Sequence, residues 1–129
     1  MISQTAEYAL RAVVCLAARP LTPLTTKQLA EMTKVPSEYL SKVMQVLVRE
    51  NLVSSRPGKT GGFSLVDVPS AISMWRVIEA IDPPSQTELY PLDIQGYGSP
   101  VRLLNQRLAR LNAMVREACA EITIQDLVS

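Results

Sequence analysis

The 129-residue chain has no histidine and only two cysteines, Cys15 and Cys119. Without histidine there is no His-based catalytic triad and no imidazole zinc ligand. Two cysteines far apart in the chain cannot build a four-thiolate site within one molecule. Small disulfide-stapled domains carry more cysteines than this. No apolar run reaches the ~18 residues that a membrane span needs. Glu7 and Arg11 interrupt the amphipathic opening "MISQTAEYALRAVVCLAARP", and no charged stretch precedes an apolar block. No signal peptide is read there, and a cytoplasmic protein without membrane contact is expected. No paired carboxylates stand at a useful spacing and no nucleophile stands beside a base, so no enzyme is expected.

What is present suits one folded unit. Hydrophobic residues make up 47% of the chain, which excludes compositional disorder. The net charge of +1 is unevenly spread. Residues 1–62 hold eight Lys/Arg against four Asp/Glu, and residues 63–129 hold five against eight. A basic first half fits contact with a polyanion.

Periodicity gives the elements. Residues 4–18 read as a helix with Ala6, Ala9, Leu10, Val13, Leu16 and Ala17 on one buried face, closed by Arg19-Pro20 and a "PLTP" loop. Thr25 and Gln28 form a capping-box pattern at the start of a short helix that turns Leu29, Ala30 and Met32 inward. Residues 33–36 make a turn, with Pro36 suited to open the next helix. There Leu40, Val43, Met44, Leu47 and Val48 share one face, leaving Ser37, Glu38, Ser41, Lys42 and Gln45 on the wet side. A short helix, a tight turn and a longer helix with a polar outer face are the pattern of a helix-turn-helix.

Two short strands follow, "LVSSR" and "FSLV", joined by the glycine-rich "PGKTGG". Gly58-Lys59-Thr60 resembles the end of a phosphate-binding loop, but that motif requires glycine where Val53 stands, and a helix rather than a strand afterwards. A hairpin wing is the better reading. Gly58, Gly61 and Gly62 permit close approach and positive φ, and Arg56 and Lys59 supply cations. A helix over 73–81, capped by Ser73, turns Met74, Val77, Ile78 and Ile81 inward. Residues 82–99 read as a loop. Pro100 opens a long helix through about Glu121, in which Val101, Leu104, Leu108, Leu111, Val115, Ala118 and Ile122 repeat at alternating spacings of three and four. Such a rod is about 30 Å long. A terminal turn capped by Thr123 ends the chain.

These segments together resemble the IscR/NsrR/CymR-type (Rrf) family of bacterial winged-helix transcription regulators. "EYALRAVVCLA" is similar to the family's first helix, "TTKQLAEMTKVPSEYLSKVMQVLVRENLVSSRPGKTGGFSLV" to its helix-turn-helix and wing, and "ISMWRVIEAID" and "EITIQDLV" to later segments. The resemblance implies a homodimer that binds double-stranded operator DNA and usually represses. It implies pairing of the long C-terminal helices across the dimer, with the first helix joining the interface. Many members hold an iron–sulfur cluster on three cysteines in the loop before the long helix. Residues 82–99 contain none, and Glu7, where some members place a carboxylate ligand, cannot hold a cluster alone. The chain therefore resembles a cysteine-poor branch, with no metal or cofactor expected and its effector unnamed. Ser41 stands where cluster-binding relatives often carry an acid, and Pro57 where an arginine is common.

The expected fold is mainly α with a small β-hairpin: a winged helix-turn-helix over 1–81, a loop over 82–99, and a long dimerisation helix with a terminal turn over 100–129. In the recognition helix, Ser37, Tyr39, Ser41, Lys42 and Gln45 are the candidates for base contact, Lys42 toward guanine and Gln45 toward adenine. Tyr39 either packs in the core or stacks on a sugar. Thr26 and Lys27 are candidates for phosphate contact, as are Arg56, Lys59 and Thr60 in the wing. Arg56 has the alternative of a carboxylate partner within the hairpin. Val101, Leu104, Leu108, Leu111, Val115 and Ala118 are candidates for the dimer interface. Cys15 is a core residue or a redox-sensing thiol, and Cys119 a packing residue. Trp75, Tyr90 and Tyr97 fill a core or line a ligand pocket. The leading expectation is a dimeric DNA-binding regulator. The alternatives are a protein-interaction module that has lost operator binding, and a nucleotide-binding switch.

Overall fold

The fold is described from a computed structural model, for residues 2–83 and 98–128. In chain order it has helices α1 (Gln4–Ala18), α2 (Thr26–Thr33) and α3 (Ser37–Arg49), strands β1 (Val53–Arg56) and β2 (Gly62–Leu65), and a 3-10 turn over Pro69–Ala71. Helices α4 (Met74–Ile81), α5 (Gly98–Glu121) and α6 (Ile124–Val128) follow. It is the expected mainly helical winged architecture with a long C-terminal helix.

Helix α1 is the central element and packs against α2, α3, α4, α6 and β2. Its buried face is Ala6, Ala9, Leu10, Ala12, Val13, Leu16 and Ala17. Four alanines on that face remove side-chain bulk, so that neighbouring helices can approach closely. The Ser3 hydroxyl caps α1 by accepting from the Ala6 N–H at 3.0 Å and donates to the Asp82 carboxylate beyond α4.

The capping box at α2 is present. The Thr25 hydroxyl accepts from the Gln28 N–H at 3.1 Å, and the Gln28 side chain accepts from the Thr25 N–H at 2.9 Å. Lys34 ends α2 in the left-handed region at φ 62°. Val35 is buried beneath the turn, and Pro36 closes that turn as the N-cap of α3, opening the helix as expected. In α2 Thr33 is buried, its hydroxyl donating to the Leu29 carbonyl at 2.7 Å, while Ala30 and Met32 are half-buried. In α3 Leu40, Val43, Met44 and Leu47 are buried, but Val48, expected inward, is exposed. Each residue advances about 100° around a helix, which carries Val48 past the edge of the buried stripe.

Asn51 closes α3 with φ 60°, and the Leu52 N–H reaches back to the Leu47 carbonyl at 3.0 Å. This is a Schellman reversal with asparagine in glycine's usual place. The Arg76 guanidinium of α4 satisfies a further carbonyl by donating to the Glu50 oxygen at 2.7 Å. The pose of α3 is thus set from both ends of the core.

Strands β1 and β2 pair antiparallel, Val53 with Leu65 and Arg56 with Gly62. The "PLTP" segment, residues 20–23, is the loop expected, and the residue after it makes a contact of its own. Leu24 bridges Phe63, donating at 3.1 Å and accepting at 2.8 Å, and so pins the hairpin to the α1–α2 connection. One isolated bridge has no period, so residue spacing carries no sign of it. Two wing glycines are required by this packing rather than by any partner. A Cβ on Gly61 would lie 2.0 Å from the Arg56 carbonyl oxygen, and one on Gly62, at φ 145°, would lie 2.8 Å from the Leu24 backbone. Gly58, at φ 102°, meets nothing within 4 Å. Gly61→Ala is therefore expected to destabilise by roughly 2–3 kcal/mol and Gly58→Ala by about 1 kcal/mol, as read by denaturant titration.

The C-terminal segment is stitched back onto α4. The Met74 N–H donates to the Ile122 carbonyl at 2.7 Å, and the Ile124 N–H to the Ile72 carbonyl at 2.8 Å. Thr123 caps α6 by accepting from the Asp126 N–H at 3.1 Å. Helix α5 begins at Gly98, so the expected 82–99 loop ends two residues early. The rest of that loop, with Tyr90 and Tyr97, lies outside the described residues. Among the described residues no helix is long and apolar enough to cross a membrane.

Candidate nucleic-acid interface

Burying Leu40, Val43, Met44 and Leu47 leaves the opposite face of α3 in water. Ser37, Glu38, Lys42, Gln45 and Arg49 are exposed there, and Ser41 is half-buried. Glu38, Lys42, Gln45 and Arg49 recur at helical spacing along this strip. Arg49 is an addition to the expected contacts. Its spacing is the signal for it, since it stands seven residues, two turns, beyond Lys42.

Tyr39 turns toward α1. Its hydroxyl pairs with that of Thr5, and its ring meets Tyr8 edge-on with centroids 5.5 Å apart. Arg11 then lies over the Tyr8 ring at 5.4 Å, pairs with Glu7 at 2.6 Å, and donates to the Thr33 carbonyl at 3.2 Å. One run of contacts therefore joins α1 to the end of α2 and the start of α3. Both helices of the helix-turn-helix are held in a fixed relation to α1.

Lys27 is exposed and Thr26 half-buried at the first turn of α2, whose N–H groups and dipole favour an anion. In the hairpin, Arg56, Lys59 and Thr60 are exposed, and among the described residues no carboxylate lies within ion-pair distance of Arg56. The same is true of Lys42, Arg49 and Lys59. Trp75 is half-buried against the core, with the Arg116 guanidinium over its ring at 5.6 Å.

Helix α5 divides the heptad seam. Val101, Leu108 and Val115 are half-buried, Val115 packs against the core, and Cys119 is buried in it. Leu104, Leu111 and Ala118 are exposed, as are Leu103 and Met114, which lie outside the heptad positions. Leu103, Leu104, Leu111 and Met114 are 41–64% exposed, and helical spacing puts them on one side of α5.

Burial pushes both thiols above their ordinary value of 9.0, opposed at Cys15 by the Arg19 charge. This direction is opposite to that of an activated thiolate. A chromogenic disulfide reagent is expected to label both slowly at pH 7, Cys119 the slower, and faster as pH passes 9.0. The stability that these thiols lend is complete below that value. It is lost as pH rises through their raised folded values, because the unfolded chain ionises first.

The family model for Rrf2, described as an iron-dependent transcriptional regulator, matches residues 2–129. The chain belongs to the Rrf2 family. It is a helix-turn-helix transcriptional regulator and not an enzyme. A chain from Aquifex aeolicus assigned as an HTH-type transcriptional regulator is 28% identical over 132 residues, covering 100% of this chain and 92% of its own length. One from Mycobacterium tuberculosis with the same assignment is 32% identical over 128 residues, covering 98% and 80%. Among solved structures, CymR of Bacillus subtilis, the global cysteine regulator, superposes with TM-score 0.80 at 25% identity over 99% of this chain and 95% of its own. IscR of T. potens superposes at 0.79 with 22% identity, over 99% and 85%, a likeness of fold.

The iron in the family's description does not fit the donors of this Rrf2 chain. It has two thiols and no histidine, and residues 82–99 hold no cysteine. Among the described residues no three His, Cys, Asp or Glu side chains gather where they could hold a metal. Both thiols sit in helices with raised pKa values, the reverse of what a thiolate ligand needs.

Proposed function

We propose that this chain is a cytoplasmic homodimer that binds operator DNA and represses transcription. One observation carries the reading: the exposed strip of α3, with Lys42, Gln45 and Arg49 aligned over a wholly buried opposite face. Such a strip suits the major groove, which admits one helix and presents acceptors and donors to these side chains. The exposed cations of the hairpin suit the flanking phosphates, and Lys27 and Thr26 the phosphates before α2. The exposed strip of α5 suits a second copy, which doubles the reading heads.

Two substitutions test the assignment of roles. Lys59→Ala is expected to weaken binding to every DNA sequence and to lower the salt slope by about one. Lys42→Ala is expected to cost about 1–3 kcal/mol at one base position and to relax preference there. Equal losses on all sequences from both changes would refute the division of labour. No binding to any sequence by the unaltered chain would favour the interaction-module alternative.

A further inference from the structure

A recess of about 250 Å³ opens beside the DNA-reading helix, between the start of α1, the middle of α3 and the end of α4. Its floor is apolar, from Val43, Val46 and Ile81, and its rim carries Thr5, Tyr39 and Lys42. The Lys42 ammonium has no carboxylate partner among the described residues. The Thr5 and Tyr39 hydroxyls bond each other, which uses one of their two protons and leaves the other to donate. The recess therefore offers one cation and one hydroxyl donor above a small greasy floor.

We propose that this recess binds a small organic carboxylate with a short apolar tail, and that such a ligand lowers affinity for DNA. The carboxylate matches the cation and the hydroxyl. The tail matches the valine and isoleucine floor, and a compact ligand fits the volume. The regulatory half rests on reading α3 as the helix that meets DNA. Lys42 serves both sites, so a carboxylate that holds its ammonium in the recess withdraws it from the groove. Tyr39 and Thr5 connect the same ligand to the contact that sets α3 against α1. Opposed use of one side chain gives negative coupling between ligand and DNA, reciprocal in the two affinities.

The test titrates the unaltered full chain with hexanoate and benzoate, with hexanol and hexylamine as controls, by calorimetry. DNA affinity is measured in parallel with each compound present. The carboxylates are expected to bind, the neutral and cationic analogues at least roughly tenfold more weakly. Saturating carboxylate is expected to weaken DNA binding about tenfold, within the usual range of such couplings. Val46→Trp fills the recess and is expected to abolish the carboxylate response while DNA binding without ligand persists. Ile81→Phe narrows the same recess from α4, away from the DNA-reading helix, and is expected to weaken carboxylate binding severalfold with DNA binding kept. Equal binding of all four compounds, or of none, by a chain that still binds DNA would overturn the site. So would carboxylate binding unaffected by either substitution. Carboxylate binding by a chain that retains no DNA would support the site and overturn the regulatory half together with the DNA reading.

Discussion

The double change Leu111→Glu, Met114→Glu is expected to leave a folded chain that stays single at micromolar concentration and binds operator DNA about 10²- to 10⁴-fold more weakly. Both side chains are exposed on α5, at 45% and 64%, so replacing them removes no packing from the core. Far-ultraviolet circular dichroism and the unfolding midpoint should be nearly unchanged. Two carboxylates per copy would meet two from the partner across an apolar seam, where unpaired charge is costly to desolvate. The loss of DNA affinity follows from arithmetic. A dimer binds its second half-site as an intramolecular event at a high effective concentration, and a single chain forfeits that gain. Sedimentation velocity reads the first effect and a DNA titration the second. A variant that remains dimeric would move the interface away from this strip. One that becomes single with undiminished DNA affinity would separate pairing from binding.

The second large effect is thermodynamic. Leu47→Ala is expected to destabilise the chain by about 2–5 kcal/mol, the range for deleting a fully buried leucine side chain. Leu47 is 0% exposed and faces the core from the recognition helix. Its carbonyl accepts the Leu52 N–H that turns the chain toward β1. The cavity would lie beneath the strip that carries Lys42 and Gln45. A midpoint fall on the order of 10 °C should follow, with an unchanged denaturant slope if unfolding stays two-state. Near the new midpoint, DNA binding should fail in step with unfolding. A loss of under 0.5 kcal/mol would mean that α3 is not anchored as described.

Much of this fold is legible in the order of residues alone. Helices with strong period announce themselves, and the α1 and α3 faces lie where the spacing of alanine, leucine and valine puts them, Val48 excepted. The caps at Thr25, Ser73 and Thr123 are local, involving residues three apart, and local bonds leave local patterns. Contacts between distant segments leave no such trace. The Leu24–Phe63 bridge, the Arg76 cap on α3 and the Thr5–Tyr39 pair each join residues at least 26 positions apart. The glycines show the difference well. Their presence at the hairpin tip suggests close approach to DNA, whereas Gly61 and Gly62 are fixed by the carbonyls of Arg56 and Leu24. The heptad seam is visible as one stripe, yet its two edges have different neighbours. Val115 faces the chain's own core, and Leu104 and Leu111 face outward. Periodicity finds a buried or sticky face but does not say which body covers it. At the candidate interface, spacing alone picks out Lys42 and Gln45. Arg49 escapes the rule that base contacts cluster in the N-terminal half of a recognition helix, because it sits in the last turn of α3.

The most direct measurement is to sequence the DNA fragments that the purified chain retains from a random pool. Two recognition helices related by a twofold axis predict an enriched inverted repeat, with half-site centres about one helical turn, 34–36 Å, or a multiple of it apart. A pool with no enriched sequence, or one enriched only in solitary half-sites, would contradict the account.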